Sequence, residues 1–363
     1  MAKPTVISAD DHMDLHTLPP DLWQARLPKD LREIGPKVVQ TEKGQFWVCE
    51  GETWGRAQPK RIRGLPSVFD RVGIEAWITR PSTPDLRLQD LDRDGVYSTV
   101  IYPGPGGFPV KDPILKYECL KAYNDWTAEF NAKDPNRLCN LATIPSHDPK
   151  AATDELHRAA KLGHRGAIID HFSMPTPMYQ PEWEPMWATA EETGLSMAVH
   201  LGGGAYMLPR KVGSWVMAAR SCVVTMQLDE VMAAMTFSGV MERHPKLKIV
   251  LGESGLGWVP YVLERMEEKY REYAKNTRDY WPTIPPVEQF HRGMYVTFQE
   301  EKLGVSMIPL IGAGNVMWSS DYPHPVSTWP NSAAYIEKEL TALSEADRRK
   351  IIWDNAALVY HVK

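Results

Sequence analysis

No stretch of the 363-residue chain approaches the roughly 18 apolar residues that a membrane-spanning helix needs, and the opening "MAKPTVISADD" has no apolar signal-peptide core. A membrane partner is therefore not expected, and the cytoplasm is the expected compartment. Cysteine is scarce. Cys49, Cys119, Cys139 and Cys222 lie far apart with no C-x-x-C pair, which argues for reduced thiols rather than a disulfide framework or a thiolate metal site. Positive charge is not in excess either: 41 Lys and Arg stand against 46 Asp and Glu, dispersed along the chain, the wrong footprint for nucleic acid. Nor does a G-x-G-x-x-G open a helix after the first strand, since "HLGGGAY" comes only after the fifth. Any metal must be held by nitrogen and oxygen ligands.

What the chain does have is a repeated unit. Helix-period segments such as "DLRLQDLDRDG" and "DPKAATDELHRAAKLG" alternate with short apolar runs such as "VYSTVIYP" and "RGAIIDHF". Counting from "TVISADD", the runs number eight, the last being "GNVMWSSDYPHP", and two C-terminal helices follow. Short apolar strands separated by amphipathic helices indicate buried parallel strands with helical crossovers. Eight such units predict an α/β fold, a (β/α)8 TIM barrel, as one domain over residues 1–363. Residues 19–83, rich in Pro, Trp and charge, read as an insertion after strand one, with "KGQFWVCEGETW" as part of a β-hairpin.

In such a barrel, chemistry belongs at the C-terminal ends of the strands. There the sequence places Asp10, Asp11, His12 and Asp14 on strand one, Asp170 and His171 on strand four, His200 on strand five, Glu253 on strand six, and Asp321 and His324 on strand eight. Alternation along a strand lets Asp10 and His12 reach one ion while Asp11 points elsewhere. Taken singly, each has a plainer role: Asp321 as a turn residue in "SSDYPHP", Glu253 as a cap for the next helix, His200 as a hydrogen-bonded structural imidazole. Their joint placement on one rim makes a divalent metal centre the better reading.

In order along the chain, "ISADDHMD", "LQDLDRDGVYSTVIYP", "IPSHDP", "AVHLG", "GVMERHPKLKIVLGESGLGWVPYVLERM" and "SSDYPHPVSTWP" resemble the amidohydrolase-related metal enzymes, in the branch named after aminocarboxymuconate-semialdehyde decarboxylase. The resemblance implies a (β/α)8 barrel with one catalytic divalent ion, Zn²⁺ first and Mn²⁺ as the alternative, and a homodimer or larger homo-oligomer. The family's strand-one pair H-x-H or E-x-H matches Asp10 and His12, its strand-five His matches His200, and its strand-eight Asp matches Asp321. Where many family decarboxylases carry a catalytic His in "H-x-G-E", this chain has "ESGL", with Glu253 in the His position and Leu256 in that of the helper Glu.

That departure makes the rim more acidic, which suits an additional anionic substrate poorly. The expected function is accordingly a metal-dependent hydrolase of a small cyclic or aromatic compound bearing an amide, lactone or activated C–C bond. The metal ligands would be Asp10, His12, His200 and Asp321, with Glu253 an additional ligand or acid/base, and Asp321, Glu253 and His200 the catalytic groups. Asp14, His324, His171 and Arg210 are expected around them, orienting ligands or substrate. The alternative is nonoxidative decarboxylation of an aromatic or unsaturated acid, which needs a cation such as Arg210 or Arg165. A metal-free binding barrel is the third reading.

Overall fold

The structure is a computed structural model and describes residues 6–57, 66–75, 78–104, 108–202, 214–274 and 278–363. Strand β1 (Ile7–Met13) precedes an antiparallel sheet of β2 (Lys37–Thr41), β3 (Gly44–Cys49) and β4 (Glu52–Arg56). Then come β5 (Ser98–Pro103), β6 (Leu138–Asn140), β7 (Ala142–Thr143), β8 (Gly166–Ile169), β9 (Ser196–His200), β10 (Ile249–Gly252), β11 (Met294–Phe298) and β12 (Val316–Trp318). Apart from β2–β4 these pair in parallel, in the order β1-β5-β6 and β7-β8-β9-β10-β11-β12. β6 and β7 form one strand position interrupted at Leu141, whose N–H still donates to Ile101 O at 2.9 Å. Beyond β12 the chain returns to β1: His12 N–H donates to Tyr322 O at 2.7 Å and Asp321 N–H to Asp10 O at 3.2 Å. Eight parallel positions in chain order, the last beside the first, are the connectivity of a (β/α)8 barrel.

The crossover helices start and stop where local chemistry directs. Pro113–Asn131 and Pro149–Lys161 each open on a proline, and Asp112 and Asp148 accept N–H bonds from Leu115 and Ala151, both at 2.8 Å. Pro84–Asp94 ends at Gly95, whose φ of +75° closes the last turn without a Cβ penalty. The segment "LDEVMAAMTFSGVMERHP" does not form one helix, because Gly239 at φ +82° divides it into Asp229–Phe237 and Val240–Arg243. Among the described residues no helix is long and apolar enough to cross a membrane.

Strand alternation divides the interior into two packed clusters. Ile7, Ala9, Val100, Tyr102, Ala198, Val250 and Met317 pack together with Val359 and Tyr360 of the C-terminal helix, whereas their neighbours Ile101, Val199, Ile249, Leu251 and Trp318 pack outward among the crossover helices. In β1 this alternation breaks. The β1–β5 register shifts between Ser8 and Asp11, and beyond the shift Asp10 and His12 turn to the mouth while Asp11 faces the outer layer, beside Thr99 and Arg87.

The expected hairpin is β3–β4, with β2 added at its edge. Much of the described insertion packs against the loops that carry the site. Trp47 Nε1 donates to Leu15 O at 3.0 Å, and the Phe69 ring packs against Tyr322 and Trp329 at 5.7 and 5.2 Å. Arg71 Nη1 donates to Ser327 O (2.7 Å) and Trp329 O (2.6 Å), and Nη2 donates to Pro325 O (2.8 Å).

Candidate metal centre

Four residues from two strands, β1 and β9, and from the loop after β12 meet at the mouth. His12 Nε2 lies 3.6 Å from Asp10 Oδ1 and 3.1 Å from Asp321 Oδ1, and His200 Nε2 lies 3.6 Å from the same Asp10 oxygen. All four residues are at least 93% buried, yet Asp10 Oδ1, His12 Nε2, His200 Nε2 and Asp321 Oδ2 make no hydrogen bond. Buried polar atoms are rarely left so, because each loses its water without compensation. Donors held ~2.1 Å from one ion at tetrahedral angles stand ~3.4 Å apart, close to these spacings. The residues present therefore fit a divalent ion.

For Asp10 and His200 the supporting contacts fix which atom faces the centre. Asp10 Oδ2 accepts from Glu253 N–H at 2.6 Å and Thr297 Oγ1 at 2.9 Å, leaving Oδ1 for the site. His200 Nδ1 touches Leu201 O at 2.6 Å; since a carbonyl only accepts, that nitrogen carries the proton and Nε2 is the ligand atom. Gly252 makes room for both: a Cβ there would stand 2.8 Å from His200 Cδ2 and 3.2 Å from Asp10 Oδ2. Glu253 and Asp321 hold left-handed backbones, φ +52° and +61°, as do Glu50 and His361 away from the site; such strain often gathers at functional sites.

Asp14 and His324 lie beside this cluster. His324 stacks on His12 with ring centres 4.1 Å apart, its Nδ1 2.7 Å from Asp321 Oδ1 and its Nε2 3.2 Å from Asp14 Oδ2. Burial pushes this imidazole down, but the carboxylates of Asp321 and Asp14 outweigh it and hold it well above its usual value. For His200 burial likewise acts downward, and Asp10 and Glu253 carry it up to about 9. The mouth is thus a concentration of negative charge that calls for a cation.

Glu253 stands at the edge. Its Oε2 is 3.4 Å from His200 Nε2, its side chain is 37% exposed, and burial followed by the charge of Asp321 pushes its carboxyl up. A cleft of about 330 Å³ opens here, lined by Asp10, Glu253, Asp321, Phe298, Gln299 and Glu300. No Lys or Arg among the described residues lines it. Asp170 borders a smaller hollow beside His200, and His171 packs on Phe172 at 3.8 Å with both ring nitrogens buried and unbonded. Arg210 lies outside the described residues. Arg165 is at the opposite end of the barrel, bonded to Leu138 O and His361 O, because it precedes β8 rather than following it. Glu253 is not the cap of the next helix: Glu301 takes the N–H groups of Leu256 (2.7 Å) and Gly257 (2.8 Å) ahead of helix Val259–Tyr273. Thr297, absent from the sequence-based set, could have been found by alternation, being two residues beyond the inward-facing Tyr295.

Residues 74–362 match the family model described as amidohydrolase, so the chain belongs to the amidohydrolase family. Within it, the curated relatives belong to the decarboxylase branch. Gamma-resorcylate decarboxylase of Polaromonas sp. (strain JS666 / ATCC BAA-500) is 28% identical over 295 residues, 75% of this chain and 85% of that protein. The 2-amino-3-carboxymuconate-6-semialdehyde decarboxylase of Dictyostelium discoideum is 25% identical over 303 residues, 79% of this chain and 78% of that one. Among solved structures, amidohydrolase map2389c from Mycobacterium avium subsp. paratuberculosis K-10 superposes with TM-score 0.77 at 21% identity, covering 99% of this chain and 100% of that one. A dihydroxybenzoic acid decarboxylase from Polaromonas sp. JS666, with bound manganese and the inhibitor 2-nitroresorcinol, gives TM-score 0.62 at 20% identity, covering 99% and 97%. The relatives are decarboxylases, so they favour the alternative drawn from the sequence over hydrolysis.

Proposed function

We propose that this chain is a divalent-metal-dependent decarboxylase of a small aromatic or unsaturated acid. The observation that carries the metal reading is the convergence of Asp10, His12 and His200, with buried and unbonded ligand atoms, and of Asp321 beside His12 at the barrel mouth; the relatives supply the reaction class. Asp10, His12, His200 and Asp321 would hold Mn²⁺ or Zn²⁺, with Glu253 at the edge. When bound, the ion supplies the positive charge that holds the substrate carboxylate and an adjacent oxygen. The cleft of about 330 Å³ suits a single ring. Asp321 would take a proton from a ring hydroxyl of the substrate or from water and pass it to the carbon that loses CO₂, so that the electron pair of the broken C–C bond ends in a C–H bond. His324, bonded to Asp321 Oδ1, orients that carboxylate. Glu253, partly exposed, accepts a hydrogen bond from a ring hydroxyl or amine.

One observation favours hydrolysis as a second reading: three carboxylates surround the centre and no described Lys or Arg lines the cleft to meet an anion. The two reactions leave different products. With Mn²⁺-loaded enzyme and a panel of hydroxybenzoates, aminobenzoates, lactones and amides, decarboxylation releases CO₂ and places deuterium from D₂O on the vacated carbon. Cleavage with ¹⁸O incorporation from water and no CO₂ would overturn it. Asp321→Ala should lower turnover by about 10²–10⁴-fold.

A further inference from the structure

The centre does not use Asp11, although it lies between two residues that are in it. Asp11 is 0% exposed and faces the outer layer. Its Oδ1 accepts from Ser8 Oγ (2.7 Å), Ser320 Oγ (2.7 Å) and Tyr322 N–H (3.1 Å); its Oδ2 accepts from Thr99 Oγ1 and stands 3.6 Å from Arg87 Nη2. Burying a carboxylate is costly, and an apolar side chain would fill a merely structural position with less penalty. The identity of the donors is informative. Ser320 and Tyr322 are the residues on either side of Asp321, whose left-handed backbone at φ +61° needs outside support. Arg87, also 0% exposed, donates through Nη1 to His12 O at 2.9 Å, tying the same network to the next ligand.

We infer that Asp11 is a positioning residue for the metal centre: by gripping Ser320 and Tyr322 it fixes the turn between them and sets the Asp321 carboxylate against His12. This rests on the metal reading above. Asp11 itself touches neither ion nor substrate. The register shift in β1 sets which of these alternating residues faces which way, the ligands Asp10 and His12 inward and the brace Asp11 outward.

The test is Mn²⁺ binding by chelator-stripped full-length protein, read as free Mn²⁺ by electron paramagnetic resonance, with circular dichroism to confirm folding. Ser320→Ala removes one hydroxyl of the grip, and Asp11→Ala removes the grip. Each is expected to raise the Kd for Mn²⁺ by roughly 10- to 100-fold. The double variant should be no weaker than Asp11→Ala alone, because both changes break one contact. Ile336→Val, a small core truncation in helix Ser332–Glu339, should leave the Kd unchanged. Folded variants with a Kd within about twofold of wild type, or losses that multiply in the double variant, would overturn the proposal. If Asp11→Ala does not fold, Ser320→Ala decides alone. Wild-type protein that fails to bind Mn²⁺ removes the metal reading and this inference with it; wild type that binds beside unaffected variants removes only the inference.

Discussion

Asp10, Asp11 and His12 are consecutive, and their three fates follow from which way each side chain leaves the backbone. The carboxylates of Asp10 and Asp11 differ little in burial, yet one has an unbonded oxygen at the mouth while the other receives donors on both oxygens. Space matters as much as charge at this scale. Gly252→Ala would set a Cβ 2.8 Å from His200 Cδ2 and 2.9 Å from Tyr102 Cε1, both on rings fixed in the barrel. Overpacking of this kind costs ~1–3 kcal/mol. The variant should melt at lower temperature and retain less Mn²⁺ by elemental analysis after dialysis; unchanged metal content would show that the ring can move aside. The proposed ligands, Asp10, His12, His200 and Asp321, could be picked out in the sequence because a strand-end position and side-chain chemistry select them. Thr297, Gly252 and Asp11 were not selected, because their value lies in what stands across from them.

At the scale of elements, the loop after β12 carries Asp321 and His324, and the insertion holds it from outside. Arg71 satisfies the carbonyls of Pro325, Ser327 and Trp329 together. Arg71→Ala leaves these without their charged donor, a loss of ~1.5 kcal/mol or more. Amide exchange of residues 322–331 should accelerate about tenfold with the barrel strands unaffected, a local opening that mass spectrometry reads directly. If exchange there is unchanged, the insertion does not hold the loop. The hairpin in the insertion was readable from "KGQFWVCEGETW", and the eight strand positions from their apolar runs. Which loop Arg71 binds was not, since 254 residues or more separate it from each partner and no local pattern encodes that distance.

For the whole molecule, one joint ties helix Pro84–Asp94 to helix Ser332–Glu339. Asp94 Oδ1 accepts from Ser332 N–H at 2.8 Å and Oδ2 from Ser332 Oγ at 2.5 Å. Burial pushes the Asp94 carboxyl up to about 6 from its ordinary 3.8, against the two Ser332 bonds. A raised carboxyl binds its proton more tightly when folded, so this stabilisation is complete below pH 3.8 and is lost as pH rises through about 6. The displacement corresponds to ~3 kcal/mol. Asp94→Asn should remove that part of the pH dependence, so that wild type minus variant stability falls between pH 4 and 6; a flat difference in urea unfolding would contradict it.

The sequence by itself determined the strand and helix alternation, the strand-end position of the candidate site and the nitrogen and oxygen character of its proposed ligands, because periodicity and side-chain type are local properties. Only the tertiary structure decided the facing of β1. The inward-packing Ile7 and Ala9 would by strict alternation have sent Asp11 to the mouth and His12 outward. The register shift against β5 reverses this, and it arises from how two strands distant in sequence pair. For the same reason Leu256 and Glu301, Asp10 and Thr297, and Asp11 and Ser320 became partners only once the barrel brought its strands together.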